Sequence, residues 1–191
     1  YDGARLARRG DVVVVTLNHR LNAFGYAYLA RLVPELADSG NAGQLDLVLA
    51  LTWVRDNIAE FGGDPSRVMV FGQSGGGAKI ATLMATPVAK GLFHRAATMS
   101  GQQVTASGPG NATRRTLAWL DALKLKPQDA AQVRTLPVDR LLDAQSAQDP
   151  VLGFGGLYFG PVFDERTLVR HPFYPDAPAQ SAAIPMVIGN T

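Results

Sequence analysis

Residues 68–85 read VMVFGQSGGGAKIATLMA. An apolar run, Val68 to Phe71, leads into Gly72-Gln73-Ser74-Gly75-Gly76, and a helix-forming stretch begins at once. A serine at such a junction can be a nucleophile. On a sharp turn from strand to helix its hydroxyl is pushed outward by a strained backbone. Glycines two residues to either side, Gly72 and Gly76, remove Cβ atoms that would otherwise collide. The helix that follows aims its first amides and the positive end of its dipole at the same place. The amide of Gly75 is placed to donate to the oxyanion formed when Ser74 adds to a carbonyl. The chemistry supported is acyl transfer through a covalent intermediate on Ser74. A glycine-rich turn that merely contains a serine has the same five-residue pattern, and the strand–turn–helix setting is what favours the nucleophile.

The other residues able to do chemistry make weaker sets. A local triad would need an acid and then a histidine after Ser74. Of His19, His94 and His171, only His171 follows an acid, Asp164, in that order. Asp164 and His171 sit in a proline-rich stretch before a strand, where a turn and surface punctuation are the better reading. His94, between Phe93 and Arg95, reads as a connector residue. No spaced set of His, Asp and Glu has metal-ligand spacing, and Asp38 and Asp46 lack that of a calcium loop. Gly75-Gly76-Gly77-Ala78-Lys79 lacks the spacing of a phosphate loop, and Ile80 stands where that loop needs Ser or Thr. Lys79 is expected on the helix, its stem packed and its amine in water. Asp46 and Arg55 are expected to be structural partners for nearby loops. No cofactor is called for.

The elements that must position Ser74 read as alternating strands and helices. Asp11–Asn18, DVVVVTLN, is a β-branched run of the kind buried in a parallel sheet. Asn41 with Gln44 three residues on has the form of a helix cap, opening the helix LDLVLALTWVRDNIAEF. Leu45, Val48, Leu49, Trp53 and Ile58 form its apolar face, widened by Leu47, Leu51 and Val54. Gly62-Gly63-Asp64-Pro65 stops it. The elbow helix runs to about Ala85, ended by Pro87, and Ala96–Ser100 and Ile184–Gly189 are further strands. This order predicts an α/β fold with a mostly parallel sheet. From about Ala112 the pattern changes to short amphipathic helices split by Pro127 and Pro137. Phe154, Tyr158 and Phe159 follow in a Gly-rich stretch. The 191 residues carry a net charge of +2 and no cysteine, which excludes disulfides and Cys-based metal sites and gives no basic patch for nucleic acid. No apolar run reaches transmembrane length.

By residues 39–76, SGNAGQLDLVLALTWVRDNIAEFGGDPSRVMVFGQSGG, the chain resembles the type-B carboxylesterase/cholinesterase family of α/β-hydrolases, in its bacterial branch. DVVVVTLNHRLNAFGY upstream, and AKGLFHRAATMSG and GPVFDERTLVRHPFYPDAPAQSAAIPMVIGNT downstream, extend the resemblance over essentially the whole chain. The resemblance implies a serine carboxylic-ester hydrolase acting on small-molecule esters, with Ser74 as nucleophile and Gly75, where the family usually has Ala, as an oxyanion-hole amide. Ser100 matches a position near the triad. It also implies a partial α/β-hydrolase domain over 1–191: a sheet core with the elbow to about 110, a helical cap or insertion over about 111–150, and a return to the sheet over about 151–191. The glycine-rich oxyanion stretch is expected before Tyr1, and the catalytic acid and His after Thr191. The chain is then an internal segment, and alone it is expected to be inactive and, with open sheet edges, prone to aggregate. Gln73 replaces the family's usual Glu before the nucleophile. A neutral amide no longer attracts cations, so neutral esters are expected over choline-like ones. The alternative is a catalytically inactive relative acting as a binding or adhesion module, against which the intact elbow argues.

Overall fold

In a computed structural model, which describes residues 2–190, the chain forms a three-stranded parallel sheet with helices packed around it. Helix α1 (Ala4–Gly10) and the short α2 (Asn22–Tyr26) precede the long α3 (Ala42–Asn57). Strand β1 (Met69–Gln73) leads directly into α4 (Gly75–Ala85), and β2 (Arg95–Met99) follows. Helices α5 (Pro109–Ala122) and α6 (Val138–Asp143) flank a 3-10 segment, Pro127–Thr135, and β3 (Met186–Gly189) closes the order. The α/β reading and the parallel sheet are therefore found. Strand β2 is central, and the register pairs Gln73 with Met99 and Met99 with Gly189, so the three carboxyl ends are level.

The strand expected over Asp11–Asn18 is not formed. Residues 12–20 carry no regular structure. Strand status is conferred by a hydrogen-bonded neighbour, and β-branched composition alone does not supply one. None pairs with this run among the described residues, and Val12, Val13, Val15 and Leu17 stay 42–52% exposed.

Helix α3 begins after Asn41 as expected, but the cap does not form. The Asn41 side chain makes no bond to the helix start. It is fully buried and bonds both ways across the fold, with Nδ2 donating to the Val162 carbonyl (2.7 Å) and Oδ1 accepting from the Val162 amide (3.0 Å). Gln44, equally buried, donates from Nε2 to the Lys79 carbonyl on α4 (3.0 Å). A long-range pairing that satisfies a buried amide has displaced the local cap. The buried stripe of α3 also differs from the expected face: Leu51 and Val54 are buried, while Leu49 is 69% and Trp53 46% exposed. Gly62, at φ 79°, ends the helical segment in the left-handed conformation that glycine adopts without penalty.

Two large apolar clusters carry most of the core. Leu51 of α3, Ile80, Leu83 and Met84 of α4 and Ala96 of β2 pack with Leu92 and Phe93 against the sheet. Trp119 and Leu120 of α5 and Leu123 just after it, with Val133 and Leu141, pack on Tyr26, Leu29 and Val33. Below that second cluster Arg115 and Asp149 are buried together, with Nε donating to Oδ2 at 2.7 Å. The same carboxylate accepts amides from Val151 (2.8 Å), Leu152 (3.0 Å) and Tyr158 (3.0 Å). Burial alone would raise its pKa, but the guanidinium and the three amides outweigh it and hold the carboxyl well below the usual carboxylate range.

A carboxyl depressed in the folded state stabilises above its unfolded pKa, about 3.9, and loses that contribution as the pH falls below it. Asp149→Asn strands a buried guanidinium and is expected to reduce unfolding free energy by about 3–5 kcal/mol at neutral pH. It should also flatten the loss of stability on acidification. Urea denaturation of both forms from about pH 7 to about pH 3 measures the two effects.

Candidate active site

Strand β1 delivers the chain to Ser74 and α4 carries it away. Ser74 has φ 51° and ψ −118°, a region that an L-residue occupies at a cost of about 1–3 kcal/mol. Two backbone bonds hold it there: the Ser74 amide donates to the Met99 carbonyl (2.7 Å), and the Ala78 amide donates to the Ser74 carbonyl (3.0 Å). Ser74, Gln73 and Gly75 are all exposed at the level strand ends. Gly75 is the first residue of α4, so its amide has no acceptor within the helix and is available to a ligand.

The steric requirement expected of both flanking glycines falls on one. A Cβ on Gly72 would lie 2.7 Å from the carbonyl carbon of Gly76, whereas a Cβ on Gly76 would meet open space. The tighter constraint comes from the chain leaving β2. A Cβ on Gly101 would lie 2.1 Å from the Ser74 carbonyl oxygen and 2.8 Å from the Gly77 Cα, and one on Gly77 would lie 3.0 Å from the Gly101 Cα. Sequence reasoning did not single out Gly77 or Gly101. The available signal was the glycine directly after Ser100, where a chain leaving a neighbouring strand must pass the elbow.

Ser100, with φ 54°, turns the chain at the end of β2, and its amide donates to the Gly189 carbonyl (2.7 Å). The structure thus brings Gln73, Ser74, Gly75 and Ser100 together, since the Ser74 amide binds the residue preceding Ser100. Gln102 Nε2 reaches Thr98 Oγ1 (3.0 Å) and the Gly189 carbonyl (3.2 Å), tying β2 to β3 beside the turn.

Beneath the elbow the polar residues sort into clamps and one surprise. Asp46 accepts from Arg20 Nη2 (2.6 Å), Nε (2.9 Å) and the Arg20 amide (2.9 Å), which fixes the loop before α2 to α3, as expected of a structural residue. Its carboxyl is held below the ordinary value chiefly by the Arg20 side chain. Arg55 differs from expectation: among the described residues it pairs only with its exposed neighbour Asp56, at 2.7 Å. Lys79 departs furthest. Its amine is not simply in water: the residue is half-buried and Nζ lies 5.3 Å from the centre of the buried Tyr26 ring. Burial pushes its pKa down. His19, half-buried nearby, is pushed down by burial and then by the charge of Lys79. Its Nε2 has no hydrogen-bond partner among the described residues.

The remaining candidates are engaged elsewhere. Asp164 Oδ1 accepts amides from Arg166 (3.1 Å), Thr167 (2.9 Å) and Leu168 (2.9 Å), which makes it a turn residue. His171 Nδ1 accepts from the Ala106 amide (3.2 Å), and the ring packs against Phe163. His94 Nδ1 accepts from the Val68 amide (3.2 Å), bracing the entry to β1. Among the described residues no group of three or more His, Asp and Glu could hold a metal ion. Of the aromatic residues in the Gly-rich stretch, Phe159 is buried edge-on against Trp119, Phe154 is 71% exposed, and Tyr158 lies under the Arg115 guanidinium.

A family model described as the carboxylesterase family matches residues 1–191. The chain belongs to the carboxylesterase family. A para-nitrobenzyl esterase of Bacillus subtilis (strain 168) is 40% identical over 193 residues, covering 100% of this chain and 39% of that protein. Carboxylesterase 1D of Mus musculus is 46% identical over 107 residues, covering 56% of this chain and 18% of its own length. The crystal structure of a Geobacillus stearothermophilus carboxylesterase superposes with a TM-score of 0.87 at 40% identity, covering 100% of this chain and 39% of that one. This carboxylesterase-family chain thus has the α/β-hydrolase fold of its solved relatives, and it spans about two fifths of the length of the bacterial relatives it matches.

The glycine geometry separates three substitutions. Gly101→Ala and Gly72→Ala are expected to destabilise by at least about 2 kcal/mol, because backbone and not a flexible side chain must move. Gly76→Ala is expected to stay within about 0.5 kcal/mol of the parent. Thermal unfolding of the three variants side by side checks the order.

Proposed function

We propose that Ser74 is the nucleophile of a carboxylic-ester hydrolase. The observation that carries this reading is the Ser74 backbone, at φ 51° and ψ −118° between β1 and α4, in a chain that matches the carboxylesterase family throughout. The Ser74 Oγ attacks the ester carbonyl while a histidine takes its proton and a carboxylate orients that histidine. The Gly75 amide donates to the resulting oxyanion, aided by the N-terminal end of α4. The alcohol leaves, and water then hydrolyses the acyl-enzyme. The acid, the histidine and the other oxyanion amides are supplied by residues outside these 191. Asp164 and His171, each committed to backbone amides, support that reading. Ser100 is a supporting residue that keeps the end of β2 against the elbow. The helical stretch over about 111–150 is read as an insertion on the sheet core.

Small-molecule esters are the substrates. Relatives named as a para-nitrobenzyl esterase and as carboxylesterases support this class, and a Clostridium hathewayi esterase described as able to hydrolyse aliphatic aromatic polyesters, 41% identical with a TM-score of 0.84, supports cleavage of ester bonds more generally. Gln73, exposed and uncharged beside the nucleophile, gives a cationic alcohol group no carboxylate to bind.

In the complete gene product a fluorophosphonate probe is expected to label Ser74. Ser74→Ala should abolish labelling and lower kcat on an uncharged ester by at least about 10⁴-fold. Residues 1–191 alone should show no Ser74-dependent turnover. The complete protein should hydrolyse butyrylthiocholine far more slowly than an uncharged thioester of equal size. Equal rates on those two would remove the role given to Gln73.

A further inference from the structure

We propose that Lys79 makes the elbow select esters that carry a carboxylate close to the reacting carbonyl. This rests on the hydrolase reading above and names a substrate preference within it. Lys79 lies four residues after Gly75 on α4, and side chains on a helix lean toward its N-terminus, so its stem runs back over the first turn. A Cβ on Gly75 would sit 3.5 Å from Lys79 Nζ, so the amine lies beside the residue that follows the nucleophile. With glycine at 75 nothing is interposed there. An alanine there would set a methyl group in van der Waals contact with the amine.

The charge at this point is not neutralised within the described residues. His19 and the Tyr26 ring stand beside it, and the charge of Asp46, paired with Arg20, reaches both of those groups. Asp46, the acid of that set, is committed to three bonds from Arg20. No ion pair to Lys79 occurs among the described residues. The face of Tyr26 receives the ammonium instead, which holds it in place without cancelling its charge. Gln73 adds no negative charge, and the start of α4 adds positive potential. Among the described residues, two positive sources and no free carboxylate therefore converge on the elbow. Such an arrangement favours a monoanionic substrate over a neutral one of the same size, and disfavours a cationic one.

The test compares two p-nitrophenyl esters in the complete protein, one of a short dicarboxylic acid and one of the monocarboxylic acid of equal length. The quantity read is the ratio of their kcat/KM values. Lys79→Met is expected to lower the anionic-to-neutral ratio by about tenfold, the scale of a unit-charge attraction across about 10 Å at an effective dielectric of about 20. Lys79→Glu should lower it further, and Lys79→Arg should keep the parent ratio. The charge-conserving variant separates an electrostatic role from a packing one. An unchanged ratio in Lys79→Met and Lys79→Glu, with Ser74-dependent turnover intact, would overturn the assignment of Lys79 alone. Absence of Ser74-dependent turnover of both esters in the parent would overturn the hydrolase reading, and this inference with it.

Discussion

The carbonyl oxygen of Ser74 and the Cα of Gly101 are in contact, and the rest of the site depends on that contact. A single added carbon on Gly101 would fall 2.1 Å from the oxygen. The turn after β1 and the turn after β2 are therefore one packed object, with Gly72, Gly77 and Gly101 at its three points of closest approach. The hydrogen bond from Ser74 to Met99 fixes the same two chains in register. Strain at Ser74 persists because sheet, helix and neighbouring turn all specify it. As the proposed nucleophile, a serine held this way has little conformational freedom left to lose when an ester binds, which is the condition for an oriented attack.

Around this object the layers are joined by buried polar groups. Asn41 ties the start of α3 to Val162, and Gln44 ties it to α4. Arg115 and Asp149 organise the loop after α6 from beneath. Apolar packing would supply stability without fixing relative position as closely, because it is non-directional. Directional bonds between elements distant in sequence place the Tyr26 ring under the amine of Lys79 and set the distance of both from the elbow.

The site was more legible in the sequence than its surroundings, for physical reasons. Gly72-Gln73-Ser74-Gly75-Gly76 sits between a strand and a helix, and local chemistry alone dictates such a turn. The helix stop at Gly62 and the strands at 95–99 and 186–189 were readable on the same grounds. What escaped was set by contacts across the chain. Asn41 and Gln44 fit a capping pattern, yet both side chains reach partners far away in sequence. The run from Val12 to Leu17 has strand composition and no ladder. Gly101 looked like an ordinary residue after a strand, because nothing in its neighbours reveals what passes within 2.1 Å of its missing side chain. Lys79 looked like a solvated surface lysine, because the aromatic ring under it comes from a helix more than fifty residues earlier.

The level strand ends have a consequence for how this fold can vary. Gln73, Met99 and Gly189 stand side by side in an unbroken parallel register, so the sheet acts as a fixed datum from which the position of the proposed nucleophile is counted. One residue gained or lost before any of these ends would shift that count by a strand step of about 3.3 Å and reverse which face each side chain meets. Length can change freely past the datum only once the chain has cleared the elbow, in the connection after Gln102. Variation in length is thereby confined to one rim, while the strands and elbow below it are held to an invariant length.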